Sequence, residues 1–124
     1  LITLLTSIFL MERIESTILK NLIHNEEYAR KVIPFIEPDF FEDRKEKVIF
    51  EEITSFIVKY GSSITLEALN IEVDNRTDLN DSEVKEIHEI NQNLIESPVD
   101  QQWLLDSTEK WCRDRAIYLA LMES

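Results

Sequence analysis

Apolar residues recur every three or four positions along most of this chain, the spacing of helices that bury one face. From Met11, the stretch MERIESTILKNLIHNEEYARKVIPFI puts Ile14, Ile18 and Leu22 on one stripe, with Leu19 and Ile23 beside it. A break is expected near Asn25, whose side chain is suited to cap a second, short helix carrying Tyr28, Val32 and Ile33. Pro34 and Pro38 restrict the backbone before them and end that pattern. Asp39, with Glu42 three residues on, has the form of a capping box in which Asp replaces the usual Ser or Thr. It predicts the start of a long helix that turns Val48, Ile49, Ile53, Phe56, Ile57 and Tyr60 inward and is capped by Gly61.

Thr65 then predicts the start of a short helix with Leu66, Leu69 and Val73, and DNRTDLND is the most polar linker in the chain. Asn80 and Glu83 open a further helix whose Val84, Ile87, Leu94 and Ile95 are expected to face inward. In SPVD, Ser97 is expected as N-cap, Pro98 at the first helical position and Asp100 at the positive helix end. The last helix is therefore predicted from about Pro98 to near the C-terminus. The sum is an all-α bundle of about six helices with a long final one.

Composition agrees, since a single Gly and three Pro leave little material for the turns of a many-stranded sheet. A length of 124 residues is enough for one domain that buries a real core without disulfides or metals. The opening LITLLTSIFL lacks the basic start and small-residue cleavage site of a signal peptide, and it is about half the length of a membrane span. Residues 1–10 are accordingly expected as an apolar extension, derived from an upstream reading-frame choice or adding a helical turn or two, with the domain proper at residues 11–124.

Charge narrows the partners. A net charge of −12 repels phosphate backbones and anionic lipid, which argues against direct nucleic-acid or membrane binding. Cys112 is the only cysteine, which excludes an internal disulfide framework and fits a reducing, cytoplasmic setting. Candidate chemistry is sparse. One glycine cannot build a phosphate-cradling loop. His24 and His88 fall on different predicted helices with no second ligand at metal spacing. Glu51 and Glu52 read as a solvated face, and Cys112 as a packing residue without a local base. No catalytic, cofactor-binding or metal-binding residue is expected, and a small enzyme would require a pocket of converging polar groups that no motif suggests.

Two stretches carry a resemblance. KVIPFIEPDFFEDRKEKVIFEEITSFIVKYGSSITLEALN is similar to the N-terminal domain of DnaB-type replicative helicases in the order of its apolar helix end, acidic-aromatic turn, Ile-Phe helix, Gly turn and Thr-Leu start. ESPVDQQWLLDSTEKWCRDRA resembles the T-even-like phage branch of that family still more closely. Glu46-Lys47 and Ser63 stand where the bacterial branch usually has His-Arg and Pro, which also points to the phage branch. The resemblance runs from about residue 14 to residue 123.

It implies a non-catalytic assembly module, with ATP and magnesium held only by a separate RecA-like ATPase domain in the parent helicase. It further implies that the last helix is one arm of a helical hairpin, that the chain self-associates as a dimer in isolation and as a hexamer in the parent, and that primase and a helicase loader are its partners, in the cytoplasm of an infected host. The interface is then expected at Trp103, Trp111, Arg115, Tyr118, Leu121 and Met122, with Leu104 and Trp111 also suited to pack on the domain's own helices. An alternative reading is a free-standing acidic adaptor or inhibitor that binds a basic partner.

Overall fold

A short polar side chain sets the start of nearly every helix in the computed structural model, which describes residues 13–123. The Asn25 side chain accepts from the Tyr28 N–H at 3.1 Å, Thr65 from Ala68 at 3.1 Å, and Asn80 and Glu83 close a reciprocal capping box at 2.8 and 3.1 Å. Such a cap is worth about 1 kcal/mol. Among the described residues the chain forms six α-helices: α1 (Ile14–His24), α2 (Glu26–Val32), α3 (Arg44–Tyr60), α4 (Leu66–Asp74), α5 (Asp81–Gln92) and α6 (Gln101–Glu123). Single 3-10 turns lie at Ile33–Phe35 and Pro38–Phe40. No strand forms among the described residues. The expected apolar extension at residues 1–10 lies outside them.

α1 runs through the middle of the bundle, with every residue from Thr17 to Ile23 buried. It packs on α2, α3 and α6, while α3 packs on α4, α5 and the Pro38–Phe40 turn. Ile18, Leu19 and Leu22 of α1 meet Ile49 and Ile53 of α3, Leu69 and Val73 of α4, Ile87 of α5 and Leu104 of α6 in one core. Two of the polar residues drawn into it, Asn21 and Glu46, have partners within the chain. Asn21 donates to the Thr17 carbonyl at 2.9 Å, and Glu46, buried in the first turn of α3, holds Arg13 at 3.2 and 3.3 Å. Gly61 ends α3 at a φ of +72°, a left-handed position that a side chain would strain.

Four sequence expectations are corrected. The long helix does not begin at Asp39. Pro38–Phe40 instead makes a tight turn, closed by Phe40 N–H to Glu37 at 3.0 Å and Phe41 N–H to Pro38 at 3.1 Å, which drives both phenylalanines into the core. Asp43 is the cap in its place, accepting from Lys45 at 2.9 Å. The final helix likewise starts at Gln101, because the Asp100 carboxylate caps Trp103 N–H at 2.8 Å while Pro98 stays in the connection before it. Ile95 is exposed, since α5 stops at Gln92 and the helical period that would align Ile95 with Val84 ends there. Tyr60 is exposed too, leaning on Phe56 at 4.6 Å where α3 outruns the core.

Candidate assembly surface on the final helix

α6 is 23 residues long, about 34 Å, and only its first part lies against the body. Leu104, Thr108 and Trp111 face inward and are buried. Thr108 donates to the Leu104 carbonyl at 2.7 Å, which leaves its oxygen to accept from the Tyr28 hydroxyl at 2.6 Å and ties α6 to α2. Burial of that phenol pushes its pKa up, so Tyr28 stays a neutral donor.

Trp111 packs edge-on against Phe40 at 5.9 Å and against Phe41 at 4.9 Å, and Phe41 in turn meets Phe50 at 5.2 Å. Arg115 finishes the docking. Its Nε donates to the Phe40 carbonyl at 2.6 Å and its Nη1 to Glu42 at 3.1 Å, while its guanidinium lies 4.9 Å from the Tyr118 ring centre. The helix is thus bolted to the Pro38–Phe40 turn one turn before it leaves the body.

Beyond Arg115 the same face continues without cover. Side chains advance by about 100° per residue, so Met122 falls in line with Leu104 and Trp111, with Tyr118 close beside them. Below Arg115 this face is core; above it, Tyr118 is 47% exposed and Met122 67%. Ile117 and Leu121 are exposed around the rest of the helix end. A run of large exposed apolar side chains on one element marks an interaction surface more often than scattered ones do.

The six expected interface residues therefore divide. Tyr118, Leu121 and Met122 sit together on the projecting end, and Trp103 is exposed at the far, N-terminal end of the helix. Trp111 and Arg115 are engaged within the chain, with Phe40 and Phe41 and with the Phe40 carbonyl. Ile117 belongs to the exposed set and breaks the helical stripe, so periodicity alone passed over it.

Beside α6 lies an apolar groove of about 590 Å³ between that helix and the α2 end, floored by Val32, Phe40, Leu105 and Cys112. Phe35, 73% exposed on its wall, carries no sequence signal that distinguishes it from a core phenylalanine.

The remaining candidates for chemistry are structural. His24 Nε2 contacts the Leu94 carbonyl at 2.7 Å and fastens the connection before α6, and His88 lies 2.8 Å from the Asp74 carboxylate. Glu52 and Glu51 hold Arg76 at 3.1 and 3.5 Å. Burial pushes the Cys112 thiol up to about 11, which keeps it protonated at neutral pH and unsuited to nucleophilic attack. Among the described residues no group of His, Cys, Asp or Glu is arranged to hold a metal ion, and no helix is long and apolar enough to cross a membrane.

Comparison with known proteins accords with this architecture. Residues 10–102 match the family model of the DnaB-like helicase N terminal domain. The chain is 32% identical over 103 residues to the DnaB-like replicative helicase of Enterobacteria phage T4, an alignment that takes in 83% of this chain. It spans 22% of the length of that relative. With the all-α bundle and its long last helix in place, the chain belongs to the DnaB-like helicase N-terminal domain family.

Proposed function

We propose that this chain is the assembly module of a replicative DNA helicase of the phage type, joining subunits through the projecting end of α6 and presenting primase and loader to the motor. Family membership supports the helicase setting. The observation that carries the assembly role is the inward face of α6, buried through Trp111 and uncovered at Tyr118 and Met122. Its mechanism is mass action: apolar area removed from water contributes about 25 cal/mol per Å², so association is favoured wherever copies can cover each other's helix ends.

On this reading a dimer is the first product of the isolated chain and a hexamer is reached in the parent helicase. Hydrolysis of ATP, with its magnesium, belongs to the part of the parent protein outside this module. The cytoplasm of an infected host is the setting, and neither DNA nor membrane is a direct ligand of this surface.

Sedimentation velocity tests the assembly role. Replacing Tyr118 and Leu121 together by Glu removes a large aromatic contact worth about 2 kcal/mol, which corresponds to a dissociation constant at least ~30-fold weaker. The expected result is a shift from dimer to monomer at unchanged helix content. Equal dimerisation of both forms would place the contact elsewhere on the chain.

A further inference from the structure

We infer that the connector before α6, with the exposed Trp103 beside it, is a docking surface for a basic, arginine-bearing peptide segment of a partner protein. The inference rests on the proposed role in presenting partners to the motor, and it concerns the opposite end of α6 from the assembly contact. Ser97, Pro98 and Val99 line two hollows at once, which therefore adjoin. One, of about 200 Å³, is walled by Trp103 with Thr17 and Asn21, and the other, of about 570 Å³, by His24, Asn25 and Glu96. Trp103 is 51% exposed, and Ile95 at the start of the connector 65%. The walls are set within the chain. Leu94 is buried with its carbonyl 2.7 Å from His24 Nε2, and Asn25 donates to the Gln101 side chain at 2.8 Å. A surface held in this way has little ordering left to do on binding.

Charge selects the occupant. Between Lys85 and Lys110 the chain has no Lys or Arg, and Glu96, Asp100 and Asp106 fall in that interval on either side of Trp103. On α2 and the later part of α6 carboxylates are matched by bases, Glu26 by Arg30, Glu109 by Arg113 and Asp114 by Lys110. Around Trp103 they are not. Asp100 and Asp106 bond only neutral donors, the Trp103 N–H at 2.8 Å and the Gln102 side chain at 2.9 Å, and among the described residues no base pairs with Glu96. Lys20 lines both hollows, but it is 7% exposed and engaged within the chain. An arginine answers both halves of the surface, since its guanidinium stacks on an indole ring and its charge complements the carboxylates. A second copy of the chain is a poor occupant, because it brings its own net charge of −12. Nucleic acid is repelled by the same field.

A short capped peptide of alternating Arg and Leu probes the surface, with the matching Glu-Leu peptide as control. Heteronuclear NMR reads the site directly, because the chain has two tryptophans and the indole N–H of Trp103 is assigned by its loss in Trp103→Phe. Titration of the full chain with the Arg-Leu peptide should shift the Trp103 indole resonance and leave that of buried Trp111 in place. In fluorescence anisotropy, Trp103→Ala should weaken binding at least ~10-fold, as loss of a tryptophan anchor does. Glu96→Gln with Asp106→Asn should weaken it by about the same factor. Glu67→Gln with Glu72→Gln removes the same charge from α4 and should change binding by less than ~2-fold, since a distant exposed charge is screened.

Equal weakening by the α4 pair, or wild-type binding by Trp103→Ala, would reduce the contact to attraction by overall charge and overturn the inference. An unmoved Trp103 indole, or equal uptake of the Glu-Leu peptide, would overturn it as well. None of these outcomes bears on the dimer-to-monomer shift expected of the Tyr118 and Leu121 variant in sedimentation, which decides the assembly role by itself.

Discussion

Tyr28 shows how one side chain fixes a protonation pattern. Its hydroxyl is the donor to Thr108 because the Thr108 proton is already committed to the Leu104 carbonyl. Tyr28→Phe should therefore cost about 1 kcal/mol, the worth of one hydrogen bond, and urea melts would measure it. Thr108→Val should cost more, about 1–3 kcal/mol, because it leaves the buried Tyr28 hydroxyl without a partner. Glu46 gives a pH signature. Burial raises its pKa in the folded state, against the opposing pull of Arg13. A raised folded value means that the folded chain binds the proton more tightly than the unfolded one. The contribution is thus complete below the unfolded carboxylate pKa, about 4.3, and is lost as pH rises through the folded value. Glu46→Gln cannot titrate, so its urea midpoint should fall less steeply than that of the wild type as pH rises from about 4.5 toward neutrality. A parallel profile would refute the assignment. Neither Glu46 nor Tyr28 could have been singled out this way from sequence, because both roles depend on partners that only the packing supplies.

At the scale of elements, local signals were legible where cap and core agreed. Asn25, Thr65, Asn80 and Gly61 cap the helices that the pattern assigned to them. The failures at Asp39 and Ser97 share a cause, for each has a proline next to it and a better-placed Asp downstream. Tertiary demand decided between the candidates: Phe40 and Phe41 both reach Trp111 only if Pro38–Phe40 is a turn. Asp100→Ala should accordingly lower stability by about 1 kcal/mol while Ser97→Ala changes it by less than about 0.5 kcal/mol, as thermal melts would show. The end of α6 was readable from its apolar residues, and Trp111 was foreseen as both an interface and a core residue. Its burial against Phe40 and Phe41 settles its place within this chain. Trp111→Ala should cost about 3–5 kcal/mol, whereas Trp111→Phe should cost distinctly less, because the indole Nε1 is buried without a hydrogen-bond partner to lose.

On the scale of the whole molecule, acidity is concentrated rather than spread. α5 carries Asp81, Glu83, Glu86 and Glu89 against Lys85, continuing the acidic surface of α4. Arg76 pins the linker between these helices, holding Asp78 at 2.6 Å and drawing its carboxyl down to about 2. With that field and no loop of glycines, the isolated chain should neither bind ATP in calorimetry nor retain single-stranded DNA in a gel shift at moderate salt. Stoichiometric nucleotide uptake or a salt-sensitive shift would contradict the proposed division of labour. Overall charge and fold class were legible in the sequence because they are sums over many residues. The groove was not, because it arises where α2, a 3-10 turn and α6 converge from distant parts of the chain. One consequence of the way α6 is held is mechanical. The helix is clamped at Trp111 and Arg115 and runs on without a break, so it behaves as a stiff lever with its fulcrum at the Pro38–Phe40 turn. A tilt of about 10° at that fulcrum would carry the Met122 end by about 2 Å, given a rise of 1.5 Å per residue. Whatever seizes the helix end therefore exerts torque on the aromatic cluster in the core, and the body feels the orientation of its neighbour as well as its presence.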